Sequence, residues 1–267
     1  QELPAGGNLD LHNNGIVNAG IITATGFDGS IVVGDVPPTP SIVTDNLVLN
    51  LDAGDSNSYS GSGTTWTDLS GQGNHATLVN GPSYSSNNGG YLIFGSSNDH
   101  ATLPAIDLTG NELTFAIWTY NQTNTTSSLI FLGDTGDSPG SGRILNIHSL
   151  PYSGNMYYFD KGYDGSNYDR LSGSFSSTSY HTGWTHWAFT ANASTGSMKM
   201  YRNGELFDSA TGKTRAFSNA NGDIRRIART NGSQCVSAWI SNLQLYKKEL
   251  SASEVTQNFD AHKERFG

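Results

Sequence analysis

The feature that most constrains this chain is a two-residue hydrophobic period that starts and stops many times. Leu47, Leu49 and Leu51 fall on one side of NLVLNLDA, and ELTFAIWTYN sets Leu113, Phe115 and Ile117 against Trp118 and Tyr120. GWTHWAFTAN sets Trp187 and Phe189 opposite Trp184 and His186, while SSLIFLG, RILNIHSL and NMYYFD are shorter runs of the same kind. Successive side chains of a strand point to opposite faces, so each run reads as a β-strand with one buried face. Many such strands at short spacing predict an all-β fold, an antiparallel β-sandwich. The 32 glycines and the Asn/Ser/Thr runs between them supply the tight turns, and Asn203-Gly204 suits a type I′ hairpin. One helix is expected, over about 252–262, where Ser251 and Glu254 form a capping box and Val255 and Phe259 share a face.

Three prolines in GDVPPTP (34–40) cannot donate to a strand ladder and mark a stiff connector. The expected organisation is therefore an N-terminal segment over 1–34, a linker over 35–45 and a sandwich domain over 46–267. Short apolar clusters in the first segment, such as Ile21-Ile22 and Ile31 to Val33, alternate with Asn-Gly-type turns. A piece this short needs association to fold, so it is expected to oligomerise or anchor the chain, with a disordered leader as the competing reading.

A net charge of −9 repels nucleic acid and anionic lipid, and no run is apolar and long enough to span a bilayer. One cysteine, Cys235, excludes an intrachain disulfide. The start, QELPAGGN, has no signal-peptide pattern, which fits a processed secreted protein or a virion component released by lysis.

LNLDAGDSNSYSGSGTTWTDLSGQGNHATL, ELTFAIWTY, GWTHWAFTANASTGSMKMYRNGEL and ISNLQLYKKELSASEV, in this order over 45–262, resemble a laminin G-like domain of the concanavalin A-like superfamily. The resemblance implies a jelly roll that binds glycans or proteins, and superfamily members often hold one Ca²⁺. NLDLHNNGIVNAGIITATGFDGS resembles repeats in fibres of tailed bacteriophages, particularly those infecting marine cyanobacteria. It implies a virion fibre or appendage, a homotrimer joined by its leader, with other virion proteins and a host-surface glycan or receptor as partners. Capsid or tail decoration without sugar binding, and a secreted bacterial lectin-like module, are the alternatives.

Two stretches are candidate sites. In TWTDLSGQGNHATL (65–78) Asp68 either accepts backbone N–H bonds in a tight turn or, with Asp52, Asp55 and Asn74, supplies oxygens to Ca²⁺. In YSGNMYYFDKGYDGSNYDR (152–170) Tyr152, Tyr157, Tyr163 and Tyr168 offer rings to sugar C–H faces, and Asp164 and Asn167 offer polar partners. The competing reading there is a long polar loop with half-buried tyrosines. GDTGDSPGSG (133–142) reads as turn chemistry, and its G-x-S-x-G lacks the helix a nucleophile elbow requires. Glycosidases of this superfamily usually carry E-x-D-x-E on a strand, a run absent here, and the histidines lack metal-ligand spacing, so no catalysis is expected. Trp66, Trp118, Trp187 and Trp239 are expected to be mostly core.

Overall fold

A computed structural model describes residues 40–95, 98–120, 126–133, 142–176, 183–218, 225–230 and 235–266. The segment 1–34, the linker residues 35–39, Asp134, Asp137 and the 136–140 G-x-S-x-G lie outside these residues.

Among the described residues sixteen strands run in order: β1 (Leu47–Asp52), β2 (Thr65–Trp66), β3 (Ala76–Val79), β4 (Ser83–Ser85), β5 (Tyr91–Phe94), β6 (His100–Thr102), β7 (Glu112–Tyr120) and β8 (Ser128–Leu132). They continue with β9 (Leu145–His148), β10 (Met156–Lys161), β11 (Asp169–Ser174), β12 (Thr185–Asn192), β13 (Ser197–Arg202), β14 (Glu205–Ala210), β15 (Arg225–Ile227) and β16 (Ala238–Tyr246). Among the described residues a single α-helix, α1 (Ala252–Asp260), follows. One antiparallel sheet has the order β14-β13-β12-β7-β16-β5-β4, with β1 also on β16; the other has the order β11-β10-β9-β8-β15-β6-β3-β2. The two sheets form the expected sandwich.

The alternation in the sequence decides what fills it. Leu113, Phe115, Ile117, Trp187 and Phe189 from one sheet meet Ile130, Ile147, Phe159 and Leu171 from the other in one core. Leu49 and Leu51 belong to that core, but Leu47 does not. The pairing of β1 with β16 slips between Leu47 and Leu49, and this irregularity turns Leu47 outward onto Val43, Tyr246 and Val255.

That second, outer cluster lies beneath α1. Ser251 accepts from the Glu254 N–H while the Glu254 carboxylate accepts from the Ser251 N–H, so both halves of the capping box form. Val255 is buried and Phe259 stacks on Trp118 at a 5.6 Å centroid distance. Past the helix, Arg265 donates to both oxygens of Asp52, at 3.0 and 2.8 Å, and Phe266 lies 4.2 Å from Trp118. The Asn203-Gly204 turn has φ of 50° and 84°, the two positive values a type I′ hairpin needs.

His186 on β12 is fully buried beside Trp118 and Phe259, and neither ring nitrogen has a hydrogen-bond partner. Burial, with His262 nearby, pushes its pKa down to about 3. The ring is therefore neutral in the folded state, whereas in the unfolded chain it takes a proton near pH 6.5. The unfolded state binds more protons, so this contribution to stability is complete above about pH 6.5 and is lost as pH falls towards 3. His186→Phe is expected to flatten the fall in urea midpoint between pH 7 and pH 4.5 that the unsubstituted chain shows.

Candidate functional site

The Asp68 loop resolves as a turn. Its Oδ1 accepts from the N–H groups of Asn50 (2.8 Å) and Ser70 (2.9 Å), and Oδ2 accepts from Ser70 Oγ (2.7 Å) and the Asn74 N–H (2.9 Å). Asn74 Nδ2 donates to the Val48 carbonyl, tying the loop to β1. Gly71 and Gly73 take φ of 82° and 74°, conformations L side chains rarely adopt. The other expected Ca²⁺ ligands are engaged elsewhere: Asp52 with Arg265, and Asp55 with the backbone and side-chain nitrogens of Asn57. Among the described residues no three His, Cys, Asp or Glu side chains gather closely enough to hold a metal. Both Asp68 oxygens and the Asp52 carboxylate are thus already engaged by protein donors, which supports the turn reading of this loop over the calcium one.

A second constellation forms on the outer face of β9, β10 and β11. Cross-strand partners share a face, and the register pairs Asn146 with Asp160 and Asp160 with Arg170. Their neighbours Leu145, Ile147, Phe159 and Leu171 point into the core, so Asn146, Asp160 and Arg170 point outward. Asp160 has no exposure, yet Arg143 Nη1 reaches its Oδ2 at 2.6 Å, Arg170 Nε its Oδ1 at 2.6 Å and Arg170 Nη2 its Oδ2 at 2.9 Å. His148 Nε2 adds a contact at 3.2 Å. Burial alone would raise the Asp160 pKa, but hydrogen bonds from Arg170 and His148 outweigh it and hold the carboxyl below its usual range. Burial also lowers the His148 pKa against the pull of Asp160.

Three tyrosines frame this charge cluster. The Arg170 guanidinium sits 4.4 Å from the Tyr158 ring centroid and 5.2 Å from that of Tyr168, and Arg143 sits 4.6 Å from Tyr168. Tyr152 and Tyr158 meet His148 edge-on at 4.8 and 5.2 Å. Of the residues expected from sequence, Tyr152 and Tyr168 therefore come together here. Tyr157 does not: it points into the sandwich, 7% exposed, packs on Phe175 and Phe207, and donates its hydroxyl to Asp208 at 2.7 Å. As the inward neighbour of Tyr158, it faces the core by strand alternation. Tyr163, Asp164 and Asn167 build the tip of the β10–β11 hairpin. The Tyr163 hydroxyl donates to the Gly165 carbonyl, and Asp164 accepts from the N–H groups of Ser166 and Asn167 and pairs with Arg215.

The 152–170 stretch marked in the sequence holds Tyr158, Asp160 and Arg170, but sequence reasoning did not bring Arg143 and His148 to them. The available signal was polar residues on the outward positions of otherwise apolar strands: Asn146 and His148 around Ile147, Tyr158 and Asp160 around Phe159. It also missed the aromatic outer face of the opposite sheet. There Trp239 stacks on Tyr91 at 5.2 Å and on Tyr120 at 4.7 Å, and Trp184 meets Tyr91 at 5.1 Å. Trp66 and Trp187 are core, as expected, whereas Trp239 is half-exposed on this outer face and Trp118 is buried beneath Phe259 and Phe266.

A jelly-roll sandwich with a polar, aromatic-framed sheet face defines the class of lectin-like β-sandwiches. The family model for the concanavalin A-like lectin/glucanases superfamily, laminin G type, matches residues 94–256, more than half of the chain, and the chain belongs to that family. No curated protein sequence matches it. Among solved structures, it is similar to the receptor-binding domain of botulinum neurotoxin C/D mosaic serotype (16% identity, TM-score 0.61, covering 82% of this chain and 52% of that one). It is also similar to the binding domain of Paraclostridial Mosquitocidal Protein 1 (17%, TM-score 0.60, 81% and 52%). The binding domain of botulinum neurotoxin DC, in complex with rat synaptotagmin II, is a third (15%, TM-score 0.59, 82% and 52%). The chain spans about half the length of these structures, and at such identity the likeness is one of fold.

Asp68→Ala removes the acceptor for four donors around a buried carboxylate and is expected to cost about 3 kcal/mol in urea unfolding. EDTA is expected to leave the melting temperature of the unsubstituted chain unchanged; a fall on chelation would return this loop to the metal reading.

Proposed function

We propose that this chain is a non-catalytic adhesion protein whose β9–β11 face binds a glycan, free or on a host-surface receptor. The observation that carries the reading is the set of half-exposed tyrosine rings around guanidinium groups already oriented by Asp160. Rings of this kind accept sugar C–H faces, and fixed donors beside them select hydroxyl or carboxylate geometry. The family and the binding domains of similar fold agree with it. The reading as non-catalytic is supported by Asp160 itself. Glycoside hydrolysis needs two carboxyls, one of them ready to give a proton, and Asp160 is held charged between two arginines.

In the same reading the protein is a virion fibre or appendage of a tailed phage. The leader over 1–34 joins three copies, and the sandwich is carried outward to the host surface. Three copies on one particle would raise weak contacts to firm attachment through effective concentration, by roughly 10²–10⁴.

A glycan array probed with the intact chain tests the binding claim. Tyr158→Ala is expected to weaken the positive spots about tenfold, the loss of roughly 1.4 kcal/mol of ring contact. Binding unchanged by that substitution would move the site elsewhere, and a solution mass other than three times that of the chain would sink the trimer.

A further inference from the structure

The charges on the β9–β11 face do not balance. Two guanidiniums, Arg143 and Arg170, meet one carboxylate, Asp160, while burial holds His148 towards its neutral form. Among the described residues one positive charge of this cluster is left over, on a chain whose net charge is −9. The donors do not balance either. A guanidinium carries five N–H groups in a rigid fork. Asp160 takes one from Arg143 and two from Arg170. Arg143 Nε is a buried donor without a hydrogen-bond partner among the described residues.

We propose that this face selects an acidic sugar, a hexuronic or sialic acid, whose carboxylate is taken by the unspent N–H groups of Arg143 and Arg170. The proposal rests on the glycan-binding reading above and names the class of sugar. Arg170 and Arg143 are held in place before any ligand arrives, because Asp160 pins one edge of each fork and the rings of Tyr158 and Tyr168 back the guanidinium planes. An anion meeting such a pair loses little to side-chain ordering, and planar forks match a carboxylate better than a lysine would. A neutral sugar would leave the surplus charge uncompensated. A long polyanion such as nucleic acid is disfavoured by the rest of the surface, whose net negative charge opposes it. Asp160 is on this account a positioning residue, and the two arginines are the ligand contacts.

The test uses the intact chain on a biosensor carrying four probes: sialyllactose, tetragalacturonate and the carboxyl-reduced form of each. The expected result is binding about tenfold tighter to each acid than to its reduced form, a preference that shrinks as salt rises from roughly 50 to about 500 mM. Arg170→Gln is expected to abolish the preference. Should that variant fail to fold, the comparison of acid with reduced probes on the unsubstituted chain and its salt dependence still decide. Equal binding of acid and reduced probes, lost in Tyr158→Ala, would overturn the acidic specificity and leave glycan binding standing. Failure to bind these four probes together with a blank glycan array would overturn both.

Discussion

Phe159 from one sheet meets Phe189 from the other edge to face, with ring centroids 5.5 Å apart, and Phe189 in turn stacks on Phe115 of the neighbouring strand. This contact locks the two sheets, and much else follows from it. With Phe159 committed to the core, strand alternation sends Tyr158 and Asp160 outward. With Phe189 committed, His186 and Ala188 face the other way, towards Trp118 and the outer cluster under α1. A slip of one residue in either strand would bury the charged set and expose the rings, so the hydrophobic core specifies the outer face of β9–β11 as well as the fold.

Three aspartates show how surroundings divide one chemistry into separate tasks. Asp68 spends both oxygens on neutral donors and closes a turn. Asp52 takes Arg265 and fastens the end of the described chain against the sheet. Asp160 takes two arginines that are themselves partly exposed, so its charge is buried while theirs reaches the surface. The cost of burying a carboxylate is severe unless it is paired and hydrogen-bonded, and breaking such a pair costs several kcal/mol. In this arrangement the carboxylate fixes the orientation of both guanidiniums.

The fold was largely legible in the sequence. The alternation of Leu113, Phe115 and Ile117 with Trp118, the Asn203-Gly204 turn and the Ser251–Glu254 box each have a local physical cause, and each appears as expected. Leu47 was misread because the slip that turns it outward depends on the pairing of β1 with β16, a contact made across almost the whole domain. The site was legible only in part. Tyr152, Tyr168 and the stretch that holds Asp160 could be picked out by composition, but Arg143 and His148 lie beside and on β9 and become neighbours of Asp160 only through the sheet register. Trp239 read as core by residue type, and lies with Trp184 and Tyr91 on an outer face because β16 and β5 present their outward positions to the same side.

The central claim is that the face of β9, β10 and β11 receives the ligand. A crystal structure of the intact chain with its tightest-binding array glycan tests it most directly. The account predicts a sugar ring against Tyr158 with a polar group of the ligand on Arg143 or Arg170. A ligand seated instead on Tyr91, Trp184 and Trp239, across the sandwich, would contradict it.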